Sequence, residues 1–373
     1  MLLADLGADV VKVETVKDGD DTRSWRPPAW EGHSTVFLSA NRNKRSLAVD
    51  LNSVEGQHVV RRLAGTADIV VESFRPGSLE KRGLDYSTLQ ALNPALIYCS
   101  ITAYGGHGPK AGLAGYDPVL QADTGILDVT GDPEGKAARL GIGAIDLGTA
   151  LWAVVGIQAA LTHRLATGRG CHVEASLFET SAWWLSYHLL GYLATGATPT
   201  RQGTAATFIA PYEVFPTADG EIMIATPNDR LFGVLAHELG MPQLTDDTRF
   251  QANDSRVRNR GLLRELIGDA LRTRPALEWE EALRRRSIPC SVVRTVADMA
   301  GDEQLEALGV WAEVPHPELG DLRLIGTPVS IDRSRGAARR HPPRLGEHTD
   351  EVLGELGLTA DEIAAMRAAG TAQ

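Results

Sequence analysis

The segment Gly141-Ile142-Gly143-Ala144-Ile145-Asp146-Leu147-Gly148 sets one carboxylate among glycines at the head of a long apolar run. Aspartate, with a reference pKa of about 3.9, is already ionised at neutral pH and can attack an electrophile without a general base. Such a nucleophile needs a partly dry site and a positioned acyl group, for which a thioester is suitable. The flanking glycines would let backbone N–H groups approach a tetrahedral oxyanion, and a helix start would add positive dipole. The structural alternative is equally simple: Asp is a favoured helix N-cap. The spacing G-x-G-x-x-D lacks the third glycine of a dinucleotide fingerprint.

Two basic sets are candidates for holding an anion. Arg42, Lys44 and Arg45 crowd just before a β-rich run, as either a solvated turn or a phosphate clamp. Arg75, Lys81 and Arg82 follow a second such run, with Phe74 placed where an aromatic could contact an adenine. Gly115-Tyr116-Asp117-Pro118 reads as a turn, with Gln121 about one helical turn later. The ten histidines show no HExxH or other metal-ligand spacing, so no metal is expected, and no GxSxG elbow supports a serine hydrolase.

These residues need a frame. Val10–Glu14, residues 46–51, 69–73 and 96–102 read as strands alternating with helices, which predicts an α/β domain with a parallel sheet. In such sheets ligands bind at the carboxyl ends of the strands, where ESFRPG, AYGGHGP and AGYDP lie. Helices apolar on most sides, hence buried, are predicted over 147–166 and 177–195. A hairpin around Asp219-Gly220 and amphipathic helices near 229–239, 256–272 and 277–286 predict a smaller α+β domain over 205–310. Residues 1–195 then form the first part of a large domain to which 320–373 return, ending in a helix capped at Thr349.

Composition narrows the partners. With 373 residues, two domains are the default. A formal net charge of -11 argues against nucleic acid. Three widely spaced cysteines, Cys99, Cys171 and Cys290, suggest reduced thiols and a cytoplasmic location. No uninterrupted apolar run reaches the roughly 18 residues of a membrane span, and the start does not resemble a signal peptide. The chain opens in mid-motif, as though a first strand were absent.

ADLGADVVKVE, NRNKRSLAVDL, VESFRPGSLEKRGL, GYDPVLQADTG, the Asp146 segment, TGRGCHVEASLFE, IPCSVV and PPRLGEHTDEVL, in this order, resemble the family III CoA-transferases. RQGTAATFIAPYEVFPTADGEIMIA is most similar to the branch that uses dicarboxylic acids. The resemblance implies a Rossmann-like large domain, a small domain and an interlocked-ring homodimer. It implies transfer of CoA from an acyl-CoA donor to a carboxylic acid acceptor, with no tightly bound cofactor. Asp146 matches the nucleophile that passes through a mixed anhydride and an aspartyl-CoA thioester. Val49, Asp50, Leu51, Ser73, Phe74, Arg75 and Lys81 match CoA contacts; Trp25, Tyr116 and Asp117 match substrate-proximal positions. The family ordinarily has a strand and a CoA-contacting loop ahead of MLLADLGADV, so CoA affinity is in question here. Its racemase members carry a histidine base in the loop where this chain has Gly115-Tyr116-Asp117, which favours transferase over isomerase. A non-catalytic acyl-CoA-binding protein is the remaining alternative.

Overall fold

The computed structural model describes all 373 residues, Met1–Gln373. They divide into two compact units. The first comprises Met1–Leu120, Gly143–Trp184 and Asp302–Gln373; the second, Gln121–Ile142 and Leu185–Gly301. The second unit thus takes in a segment ahead of the 205–310 span. Within it, the Gly203 N–H donates to the Gly131 carbonyl, and Arg201 pairs with Asp128.

In the first unit a short helix α1 (Leu2–Asp5) leads to strand β1 (Val10–Glu14), which pairs in parallel with β2 (Lys44–Ala48). Helix α2 (Val54–Thr66), capped by Ser53, leads to β3 (Ile69–Glu72). Helix α3 (Tyr86–Leu92) leads to β4 (Ile97–Thr102), and after α4 (Asp117–Thr124) the chain returns as α5 (Ala144–Thr167) and β5 (His172–Ser176). Strands β3, β4 and β5 form a parallel sheet with β4 central, as the alternation predicts. Strand alternation divides β4 between two layers. Ile97 and Cys99 pack with Ala153 and Ile157 of α5, whereas Tyr98 packs with Leu84 and Leu89 on the opposite face.

Helix α5 departs from the expectation of full burial. Ile145, Gly148, Thr149, Ala153, Ile157 and Ala160 form its buried stripe. Leu147, Leu151, Val155 and Leu165 are exposed. A helix apolar all round therefore covers only one face within its own chain. It is long and apolar enough, by composition, to cross a membrane, and here it lies against the sheet. Gly156 permits that approach, since a Cβ there would stand 2.6 Å from Val173 of the sheet, and Gly148 permits the approach of the following helix, since a Cβ there would stand 2.8 Å from Trp184.

The helix expected over 177–195 is two, α6 (Leu177–Trp184) and α7 (Ser186–Thr195), interrupted at Leu185. In the second unit β6 (Tyr212–Pro216) and β7 (Glu221–Ala225) form the expected hairpin. The expected helices appear as α8 (Asp229–Glu238), α9 (Asn253–Arg258), α10 (Arg260–Leu271) and α11 (Ala276–Arg285). The 256–272 stretch breaks at Asn259, whose side-chain amide donates to the Ser255 carbonyl. Strand β8 (Cys290–Val292) adds antiparallel to β7 over a core of Phe215, Ile224, Phe250, Ile267 and Trp279.

Back in the first unit, β9 (Trp311–His316) and β10 (Gly320–Ile325) form a hairpin, followed by α12 (Thr349–Glu355) and α13 (Ala360–Ala368). Thr349 is not the cap of α12. It lies inside the helix, and its hydroxyl accepts the N–H of Ala48 at the end of β2. The chain terminus closes on the same strand end, where the Asp50 N–H donates to the Thr371 carbonyl.

Candidate active site

The site is built at the carboxyl edge of the β3–β4–β5 sheet. Directly after β4, the Ala103 carbonyl accepts the N–H of Phe178 from α6. Gly115 lies so close that a Cβ there would stand 2.9 Å from the Ala103 side chain. That approach seats the Gly115–Pro118 turn over the strand end and carries Asp117 inward. Asp117 is 3% exposed, while its neighbour Tyr116 is exposed.

The buried Asp117 carboxylate meets the head of α5. Its Oδ2 accepts the N–H groups of Ile145 (2.8 Å) and Asp146 (3.2 Å). The N-cap position is Gly143, which has no side chain to do this. Asp146 therefore sits in the first turn and is not the helix cap. Its side-chain oxygens accept no hydrogen bond in the structure. The residue is exposed, yet enough protein surrounds the carboxylate to strip part of its water. Burial first, and the Asp117 charge second, push its pKa above the ordinary carboxylate value. The donors expected to serve an oxyanion here are thus partly spoken for, since two helix-start N–H groups already face Asp117.

Ser73, Phe74 and Arg75 follow directly from β3 on this same edge and are exposed. The Phe74 N–H donates to Glu72 Oε2 at 2.7 Å, which turns the chain away from the strand. Arg75 and Lys81 are exposed and form no ion pair. Arg82 is tied to Ser78 and Asn52. At the end of β2, Val49 is fully buried and bridged to Ala372, so its side chain is committed to the core. Asp50 and Leu51 are half-buried; Asp50 Oδ1 accepts the N–H of Asn52.

The Arg42–Arg45 cluster is not a phosphate clamp. Arg42 is 1% exposed and grips Asp5 through two nitrogens, at 2.7 and 3.1 Å, and the Ile325 carbonyl through a third. Arg45 binds Asp9, Glu351 and Glu355. Lys44 donates to Asn41, and burial, aided by Lys12, lowers its ammonium pKa to about 8. These cations bind the fold to itself.

Trp25 is exposed on a loop whose carbonyl there accepts the Ser34 hydroxyl; no bond or ring contact joins it to Asp146. Sequence reasoning missed Lys110, whose ammonium lies over the rings of Tyr104 and Phe178 at the same sheet edge. No group of three or more His, Cys, Asp or Glu side chains is arranged to hold a metal ion.

Residues 1–349 match the profile of CoA-transferase family III. The chain belongs to this family. It is 38% identical over 366 residues to a succinate–glutarate CoA-transferase of Agrobacterium fabrum, covering 95% of this chain and 90% of the relative. It is 33% identical over 332 residues to an acetyl-CoA:oxalate CoA-transferase of Acetobacter aceti, covering 88% and 84%. Among solved structures, a CaiB/BaiF family protein from Brucella suis matches with a TM-score of 0.82 and 39% identity, covering 95% of this chain and 93% of that one.

Proposed function

We propose that this enzyme transfers CoA between an acyl-CoA donor and a dicarboxylic acid acceptor, with Asp146 as nucleophile. The bare, first-turn carboxylate of Asp146 at the carboxyl edge of the parallel sheet carries the reading. An Asp146 oxygen attacks the thioester carbonyl; a C–O bond forms, the C–S bond breaks and the electron pair leaves on the CoA sulfur. The thiolate then attacks the aspartyl carbonyl, releasing the donor acid and leaving an aspartyl-CoA thioester. The acceptor carboxylate attacks that thioester, and the returning thiolate takes the new acyl group and frees Asp146. No step moves a proton, which suits a site with no general base. Ser73, Phe74, Arg75 and Lys81 would hold the CoA, with the two free cations facing its phosphates.

The dicarboxylate reading draws on the succinate–glutarate relative and on a succinyl-CoA:mesaconate CoA-transferase of Haloarcula hispanica, 34% identical over 368 residues. A homodimer belongs to the same proposal. Leu147, Leu151, Val155 and Trp183 of the first unit and Leu190 and Leu193 of the second are large apolar side chains left exposed, and a second copy would cover them.

The test is covalent trapping. Succinyl-CoA followed by hydroxylamine or borohydride, then peptide mass spectrometry, should mark Asp146. Full CoA transfer to glutarate with Asp146 unmodified would sink the mechanism.

A further inference from the structure

We propose that Asp117 is a positioning residue: it takes over hydrogen bonding at the head of α5 so that the Asp146 carboxylate stays bare for attack. This inference rests on the reading of Asp146 as the nucleophile.

The molecule contains its own controls. Asp298 and Glu362 occupy the same third helical position as Asp146, each at the start of another helix. Both are held in capping boxes. The Asp298 carboxylate accepts the Thr295 N–H at 2.8 Å, and the Glu362 carboxylate accepts the Thr359 N–H at 2.7 Å. Their hydrogen bonds to Thr295 and Thr359 lower both pKa values. A carboxylate so engaged is a poor nucleophile, because the charge that would attack is spent on donors. Asp146 is in the opposite state: unbonded, with its pKa raised.

Two differences accompany that state. In the capping boxes the threonine hydroxyl both accepts the N–H of the third helical residue and donates to its carboxylate, whereas α5 has Gly143, which offers no hydroxyl for either bond. The Ile145 and Asp146 N–H groups then need another acceptor, and Asp117, the first residue of α4 and only 3% exposed, supplies it. This also separates its role from that of a substrate contact: the buried Asp117 faces the helix, and Tyr116 beside it is the exposed residue.

The second consequence is electrostatic. A fixed negative charge beside Asp146 disfavours its ionised form. Acylation converts that carboxylate into a neutral anhydride or thioester, and the repulsion is relieved. Asp117 thus favours the covalent intermediates over the resting carboxylate.

The experiment separates capping from charge. In Asp117→Asn the amide oxygen can still accept both N–H groups, but the charge is gone. The melting temperature should stay within about 2 °C of wild type, while the acid limb of the kcat/KM profile moves to lower pH and kcat falls about tenfold, the rate equivalent of ~1.4 kcal/mol. Asp117→Ala loses both features, and adding Gly143→Ser should restore the melting temperature without restoring the pH limb. If Asp117→Asn keeps the wild-type acid limb and the wild-type yield of labelled Asp146, Asp117 is only a cap and the proposal fails. If the wild-type enzyme is not labelled at Asp146, the nucleophile reading fails first and takes this one with it.

Discussion

Two carboxylates in the first unit, Asp5 and Asp146, show opposite uses of the same group. Asp5 is 4% exposed and fully engaged: both oxygens receive Arg42, and the Asn43 amide adds a further bond at 2.9 Å. Asp146 receives nothing and has another carboxylate as its neighbour. Pairing a buried charge completely makes it part of the scaffold, whereas Asp146, exposed and without a protein partner, keeps its oxygens open. The largest expected effects follow from exchanging these roles. Asp146→Ala should lower kcat for CoA transfer by about 1,000-fold or more, which is ~4 kcal/mol of transition-state stabilisation. Because the side chain neither caps α5 nor accepts a bond, urea unfolding should change by less than ~0.5 kcal/mol. A stability loss like that of a missing cap would break the contrast.

Arg42→Ala tests the other half. It leaves Asp5 buried and unpaired and frees the Ile325 carbonyl, so it should cost about 3–5 kcal/mol in urea unfolding. The fraction that stays folded should still be labelled at Asp146 by succinyl-CoA. Loss of labelling in folded protein would mean that the two carboxylates are not independent.

How much of this was legible in the sequence depends on the range of the interaction. Parallel strands, the Asp219-Gly220 hairpin and the amphipathic helices rest on periodicity and turn chemistry within a few residues, and they are found where expected. The breaks at Leu185 and Asn259 were not legible, since apolar and helix-forming residues continue through both positions. Arg42 and Arg45 looked like solvent-facing cations because their partners Asp5, Ile325 and Glu355 lie 37, 283 and 310 residues away. The site divides in the same way. Asp146 was found from its neighbourhood and its family resemblance, but its cap lies 29 residues upstream. The only local sign of that arrangement was Gly143, a residue unable to cap with a side chain.

The basic sets sharpen the comparison at smaller magnitude. Arg75 and Lys81 are exposed and unpaired, the reverse of Arg42 and Arg45. Each substitution to Ala should raise the KM for acyl-CoA about 2- to 5-fold, corresponding to ~0.5–1 kcal/mol per exposed charge. The effect should shrink as ionic strength rises from 0.05 to 0.5 M, because salt screens exposed charges. Equal loss for short acyl-N-acetylcysteamine thioesters, which lack the phosphates, would remove these residues from the CoA site.

The smallest effect concerns a titrating group held on the scaffold side of the contrast. His316, 4% exposed at the end of β9, lies between the rings of His33 and His341 at centroid distances of 5.5 and 4.9 Å. Its Nδ1 accepts the Glu318 N–H. Burial, then the charges of His341 and His33, lower its pKa from 6.5, against the opposing pull of Glu318 and Glu347. The fold therefore favours the neutral ring. The unfolded chain binds the proton more readily, so His316 contributes stability that is fully present above about pH 6.5 and is lost as pH falls below that value through the lowered pKa of the folded state. Between pH 7.5 and 5.5, above the range where most carboxylates titrate, urea unfolding of the wild-type protein should show this loss, at most ~1.4 kcal/mol per pH unit. His316→Gln, whose amide cannot titrate, should lose less over the same interval. Asp146 acts in the opposite sense: its raised pKa makes the ionised form the disfavoured one, so protonation relieves it. Removing it in Asp146→Ala should therefore make the loss of stability on further acidification slightly steeper. An unchanged slope in His316→Gln would show that the histidine cluster stays solvated enough to titrate as it does in the unfolded chain.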